Sequence, residues 1–203
     1  MTNSFLDVAK TRRTIYALDR KVAAGRDEIV TTIKEAVKHA PSAFNSQTAR
    51  VLILFGEEHE KLWGEGGIAE QAIRAALPAG QSFDGTAKKL ASFNAGIGTL
   101  LYFEDTAIVK NLQQQFPLYA DNFPVWSEQS TGITQYAVWL ALSELGIGAS
   151  LQHYNPLIDK AIQQAFGVPD DWKLTAQQPF GNIAAPAGDK AFESIDSRVK
   201  VFG

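Results

Sequence analysis

At 203 residues, with 45% apolar and 20% charged side chains, the chain reads as one sizeable domain, 1–203, of ordinary globular composition. A net charge of −3 excludes a general polyanion-binding surface, so no nucleic-acid partner is expected and any phosphate site must be a local cluster of Arg and Lys. The absence of cysteine excludes disulfides, thiolate metal sites and a cysteine nucleophile, which leaves any redox chemistry to a bound cofactor.

The opening segment, MTNSFLDVAKTRR, lacks the basic-then-apolar order of a signal peptide, and no uncharged apolar run reaches the ~20 residues of a membrane helix. A cytoplasmic protein without a membrane partner is expected. A short helix is expected over Ser4–Thr11. Asp27 and Glu28 favour a helix start and Ile29, Ile33 and Val37 share a face, which predicts a helix over Asp27–Ala40, stopped by Pro41. Val51–Phe55 is wholly apolar, the pattern of a strand buried on both faces. Glu57–Trp63 begins a helix that the glycines of 64–67 interrupt, with His59 on a solvated face. Pro78–Gly85 reads as a flexible loop, Thr99–Phe103 as a second buried strand, Thr106–Phe116 as a helix and 117–124 as an irregular, aromatic-rich stretch.

Ser127–Leu145 is the longest predicted helix. Ile133, Tyr136, Ala137, Leu140 and Ala141 line one face with Val138, Trp139 and Leu142 beside them, so the helix must be buried in the core or against a second subunit. Ala149–His153 and Lys173–Phe180 read as strands, Pro156–Phe166 as a helix, and Arg198–Phe202 as an extended segment with one buried face. Helices separating single strands argue for an α/β or α+β sandwich of helices around a sheet.

Gly96-Ile97-Gly98 and Gly146-Ile147-Gly148 begin like a dinucleotide fingerprint. Each lacks the third glycine and precedes a strand, so both read as approaches to a strand. His39, His59 and His153 have no metal-ligand spacing, and there is no nucleophile elbow, so neither a metal site nor serine hydrolysis is supported.

Three segments carry more. Arg12, Arg13 and Thr14 place two guanidinium forks beside a hydroxyl, which suits a phosphate, although an arginine pair is by default a solvated surface. Pro41 to Gln47 (PSAFNSQ) is either a helix-terminating turn or a row of hydrogen-bonding groups facing a heteroaromatic ring. Leu145 to Pro156 (LGIGASLQHYNP), with Arg198 and Lys200 in the tail, combines glycine backbone that permits close approach to a planar ligand with two more cations.

Together these segments resemble the FMN-dependent nitroreductase family over nearly the whole chain. Arg12-Arg13-Thr14 matches its Arg-Arg-Ser-like triplet, and Pro41, Ser42, Asn45 and Gln47 match its Pro-Ser-x-x-Asn-x-Gln signature. Gly146-Ile147-Gly148 matches the turn after the central helix, and Arg198 and Lys200 match the basic pair near the C-terminus. The stretches GIGTLLYFED and LQHYNP are most similar to the short subgroup related to the yeast fatty-acid-repression protein and the copper-induced nitroreductases of lactic acid bacteria. Thr14 for Ser keeps the hydroxyl; Tyr16 stands where many relatives have a basic residue, which leaves its role open.

The resemblance implies an α+β sandwich with a mostly antiparallel central sheet, forming a homodimer through the long central helix with FMN between subunits. It implies that Arg12, Arg13, Arg198 and Lys200 bind the FMN phosphate and ribityl end, with Thr14 adding a hydroxyl. Ser42, Asn45 and Gln47 would reach the cofactor from the partner subunit, and Gln152, His153 and Tyr154 would lie by the ring, a backbone N–H facing it. NADH or NADPH would reduce the cofactor and a nitroaromatic or quinone would reoxidise it in a ping-pong scheme, with no catalytic side chain. The alternatives are a flavin-binding regulatory protein with little turnover and a structural domain with a chance set of motifs.

Overall fold

The computed structural model describes residues 4–203. Local signals set its elements in turn. Ser4 caps α1 (Phe5–Thr11) in a reciprocal box: its hydroxyl accepts from the Asp7 N–H (3.3 Å) and the Asp7 carboxylate accepts from the Ser4 N–H (3.2 Å). A two-residue β1 (Leu18–Asp19) leads to α2 (Arg26–His39), which buries Ile29 and Ile33 and stops before Pro41. β2 (Ala49–Phe55) is followed by α3 (Glu57–Trp63), and the 64–67 glycines separate α3 from α4 (Ile68–Ala76) as expected.

The predicted flexible loop, 78–85, is shorter than expected, because α5 (Asp84–Asn94) starts inside it. That helix had no clear signal: Lys88 and Lys89 interrupt its apolar face, and only Leu90 and Phe93 are buried. β3 (Gly98–Asp105), α6 (Thr106–Gln115) and α7 (Phe123–Glu144) follow, α7 starting four residues earlier than predicted with Pro124 in its first turn. β4 (Ile147–Ala149), α8 (Asp159–Phe166), β5 (Trp172–Ile183) and α9 (Ile195–Arg198) complete the chain. The strand expected over Ala149–His153 lies earlier, at Ile147–Ala149, and only an isolated bridge at Gln152 continues it. The tail expected to be extended from Arg198 instead carries Arg198 at the end of a helical turn, with extended backbone beyond.

β3 shows why the layers form. Leu101 and Phe103 are buried on one face of the sheet, and Leu100 and Tyr102 on the other. The first pair joins Leu62, Trp63, Phe93 and Ile162 from α3, α5 and α8; the second joins Ile29, Ile33, Val138 and Leu142 from α2 and α7. The sheet runs β1-β5-β3-β2, with β4 also on β5, and every strand pair is antiparallel. An antiparallel sheet between helical layers is the α+β sandwich.

One expectation is corrected, and for α7 the core is excluded as the place of its apolar face. β2, apolar in all of Val51–Phe55, is an edge strand in which only Leu54 is fully buried. The face of α7 bearing Ile133 and Tyr136 does not enter the core: these side chains are 44% and 42% exposed. Its inner face is instead Ser127, Ser130, Thr131, Thr134 and Gln135, giving way to Val138 and Leu142. The hydroxyls of Ser130, Thr131 and Thr134 are satisfied by carbonyls one turn back (2.8, 3.2 and 3.0 Å), so this polar face is buried without orphaned hydroxyls.

Candidate functional site

The N-terminal basic segment is fixed beside the sheet. Thr14 bridges Ala149 in parallel and the Ile15 N–H donates to the Ala149 carbonyl (2.9 Å), so Arg12, Arg13 and Thr14 run alongside β4, which leads directly into Gln152, His153 and Tyr154. Arg12 stacks its guanidinium 4.3 Å from the Trp139 ring centroid, while its buried Nε and Nη1 have no hydrogen-bond partner. A buried guanidinium with unsatisfied donors is costly unless an anion completes it. Arg13 donates from Nη2 to the Gly188 carbonyl (2.7 Å) and so ties down the start of the tail.

Gly98 and Gly148 are closely packed, whereas a Cβ on Gly146 would meet nothing within 4 Å. A Cβ on Gly148 would lie 2.8 Å from Ile183 and 3.0 Å from Ile15, and one on Gly98 would lie 2.6 Å from the Leu54 carbonyl. Gly98 and Gly148 permit close packing of neighbouring segments, so within the 146–148 turn only Gly146, at φ 73°, borders open space.

In the 152–154 segment, the Gln152 N–H donates to the Gln177 carbonyl (2.7 Å) and the Tyr154 N–H to Gln177 Oε1 (2.7 Å). The Gln152 side chain is buried and donates to Ser150 Oγ (3.0 Å). The Tyr154 ring packs edge-on against Trp63 and Phe93, and burial, with Tyr16 nearby, pushes its phenol pKa up. His153 is exposed, and among the described residues its N–H has no partner.

The Pro41–Gln47 segment stands apart: no hydrogen bond joins it to Arg12–Thr14 or to 152–154. Phe44, Asn45 and Gln47 all adopt left-handed backbone, with φ of 58°, 49° and 48°. Asn tolerates this; a Phe or Gln there costs roughly 1–2 kcal/mol. The loop is held by Ser42 Oγ accepting from the Gln47 N–H (2.9 Å), by Arg50 donating to the Gln47 carbonyl (2.7 Å), and by the Phe44 ring. That ring stacks on Trp126 (centroids 5.8 Å apart, 20° between planes) and touches Phe116 and Phe123 at 5.1 and 5.2 Å. Strain of this kind gathers where a loop has a task. Beside it a cavity of ≈ 270 Å³ is lined by Pro41, Ser42, Ala43, Trp126, Ser130 and Ile133. Phe44 was invisible to sequence reading because nothing in its neighbours announces a positive φ.

Arg198 and Lys200 lie in the exposed tail, and no hydrogen bond or ion pair brings them to the other basic residues. Among the described residues no group of His, Cys, Asp and Glu could hold a metal ion, and no helix is long and apolar enough to cross a membrane. His59 is corrected: it is buried, and the Thr99 hydroxyl, which accepts from Trp63 Nε1 (2.8 Å), donates to His59 Nδ1 (2.9 Å). Nε2–H donates to the Asn94 carbonyl (3.3 Å), and burial holds the pKa down to about 4, so the ring is a neutral core group.

Glu104, which no motif or spacing singles out, is buried at the end of β3, and among the described residues both its carboxylate oxygens are unpartnered. Burial raises its pKa to about 7. The hydroxyls of Thr48 and Ser127 lie close enough to favour the charged form, but neither closes a hydrogen bond of standard geometry.

A model of the nitroreductase family matches residues 9–182. The putative nitroreductase HBN1 of Saccharomyces cerevisiae is 35% identical over 201 residues, covering 98% of this chain and 97% of that protein. Nitroreductase CinD from Lactococcus lactis, solved in complex with chloramphenicol, is 52% identical with a TM-score of 0.90 over 98% of this chain and 100% of its own; the same protein has been solved with 4-nitrophenol. A nitroreductase from Exiguobacterium sibiricum in complex with FMN, at 16% identity, shares the fold with a TM-score of 0.69 over 98% of each chain. With matched sequence over almost its full length and the same sandwich, this chain belongs to the nitroreductase family.

Proposed function

We propose that the protein is an FMN-dependent oxidoreductase that passes electrons from NADH or NADPH to nitroaromatics or quinones, as a cytoplasmic homodimer. The observation that carries this reading is the Arg12 guanidinium, preset beside β4 with buried Nε and Nη1 donors that lack partners. These donors fit a phosphate, and the free N–H of His153, in the segment that follows β4, fits an acceptor atom of a heteroaromatic ring. Arg13, Arg198 and Lys200 add positive charge, and Thr14 a hydroxyl, at the phosphate end. Gln152, His153 and Tyr154 border the ring. Ser42, Asn45 and Gln47 reach it from the partner subunit, since within one chain their loop makes no hydrogen bond with the other site residues.

FMN, when bound, would supply two-electron redox chemistry between the nicotinamide and the acceptor. The protein's residues bind and orient. Arg12 neutralises the phosphate, the His153 N–H stabilises negative charge where it develops, and the Phe44 and Trp126 rings offer a flat apolar wall to an aromatic acceptor. Chloramphenicol and 4-nitrophenol, seen on the 52%-identical CinD, are nitroaromatics of the size such a wall suits.

The dimer rests on α7. Its outer face bears Ile133 and Tyr136, and a groove of ≈ 410 Å³ beside it is lined by Phe5, Val8, Pro41, Ala137, Leu140 and Ala141. The exposed tail, with Val199 and Val201 alternating with basic residues, matches the unpaired outer edge of β2. The test is spectroscopic: the purified protein should be yellow, bleach anaerobically on adding NADH or NADPH, and recover its colour with a nitroaromatic. A colourless protein that takes up no FMN overturns the reading; colour without turnover favours the regulatory alternative.

A further inference from the structure

The bridge between Gln152 and Gln177 is a single antiparallel pair: each backbone N–H donates to the other's carbonyl, at 2.7 and 2.9 Å, and the ladder then stops. The next rung is made by a side chain. Gln177, fully buried on β5, turns its amide along the segment so that Oε1 accepts the Tyr154 N–H (2.7 Å) and Nε2 donates to Asn155 Oδ1 (3.4 Å). One residue thus fixes the backbone on both sides of His153, and of the N–H groups at 152, 153 and 154 only that of His153 is left without a partner. An apolar side chain at 177 would leave the Tyr154 N–H without an acceptor in a half-buried place, and the His153–Tyr154 peptide would lose its tether on that side while the backbone pair at Gln152 remained.

We propose that Gln177 is a positioning residue for the cofactor: by holding the amides of Gln152 and Tyr154 it aims the His153 N–H at bound FMN and raises the cofactor's reduction potential. This rests on the flavin reading above. A donor fixed in advance stabilises charge developing on the ring without reorganising when the electrons arrive, whereas a mobile one must be ordered first. Gln177 itself touches neither cofactor nor substrate; its effect passes through its backbone pair with Gln152 and the hydrogen bond its side chain accepts from the Tyr154 N–H.

The test combines amide hydrogen exchange with redox titration. In the unmodified protein stripped of FMN, the Gln152 and Tyr154 amides should exchange slowly and the His153 amide fast. Adding FMN should slow His153 by at least roughly tenfold, in line with one charge-assisted hydrogen bond. In Gln177→Met the Tyr154 amide should become fast. The reduced-to-oxidised ratio of its bound FMN at fixed potential should fall about tenfold, or about 30 mV for a two-electron couple. Gln177→Glu, which keeps the acceptor oxygen, should restore most of both. A His153 amide indifferent to FMN overturns the proposal without any variant, as does a Gln177→Met protein that holds FMN at an unchanged potential. Failure of the unmodified protein to take up FMN overturns the flavin reading, and this one with it.

Discussion

At the scale of single residues, the proposed phosphate site rests most on Arg12. Its stack on Trp139 holds the guanidinium in place while two of its nitrogens await an anion. Charge-assisted hydrogen bonds contribute about 1.5–3 kcal/mol each, so Arg12→Ala should weaken FMN binding roughly tenfold or more. Riboflavin, without the phosphate, should bind poorly to the unmodified protein. Equal affinities for FMN and riboflavin in a fluorescence titration would remove the phosphate assignment. Glu104 predicts a pH effect. Its pKa is raised by burial from 4.5 to about 7, so the folded protein keeps a proton that the unfolded chain releases between those values. Stability contributed by the neutral carboxyl is present below pH 4.5, declines as pH rises to about 7 and is gone above, a loss on the order of 3 kcal/mol. Glu104→Gln should flatten this slope in denaturant titrations between about pH 5 and about pH 8. His59, with a lowered pKa, acts in the opposite sense, losing stability as pH falls from 6.5 through about 4; it is common to both proteins and cancels in the comparison.

Among the elements, α7 connects fold and assembly. Over Ser127–Gln135 the inner face of this helix is Ser, Thr and Gln while its outer face exposes Ile133 and Tyr136, an inverted pattern for a lone chain. A second copy covering the outer face resolves the inversion, and an interface above ~2,000 Å² is expected of such an obligate contact. Ile133 touches solvent in one chain, so Ile133→Glu should leave each chain folded while placing two charges across the dimer axis. Sedimentation should then report monomers, and FMN content should fall with dimerisation if, as proposed, Ser42 and Asn45 serve the neighbouring subunit. A dimer of unmodified stability in Ile133→Glu would mean that α7 is not the contact.

For the molecule as a whole, the expected kinetics follow from shared space. If the nicotinamide and the acceptor use one flat site beside the Phe44 and Trp126 rings, each must leave before the other arrives. Initial rates at several fixed acceptor concentrations should give parallel double-reciprocal lines, and nitroaromatics and quinones should both be accepted, since a flat apolar wall selects on shape. Intersecting lines would require separate sites.

The sequence by itself determined most of the helices and strands, because 3.6-residue and two-residue periodicities, together with Ser4, Pro41 and the 64–67 glycines, act locally. It also determined the family, through Arg12–Arg13–Thr14, Pro41–Gln47 and the 146–156 turn, since those residues and their spacing are visible without a fold. For α2 the buried Ile29 and Ile33 face was legible, but tertiary structure alone decided which side of α7 meets the core and which strand lies at the edge. Val51–Phe55 looks like an interior strand, but its edge position depends on which strands pair with β3. His59 looks like a surface residue within its polar run, yet Thr99 and Asn94, roughly forty residues away, supply the partners that let it be buried. The left-handed Phe44 and the clamp made by Gln177 were hidden for the same reason: each depends on atoms far along the chain, which one-dimensional pattern cannot bring together.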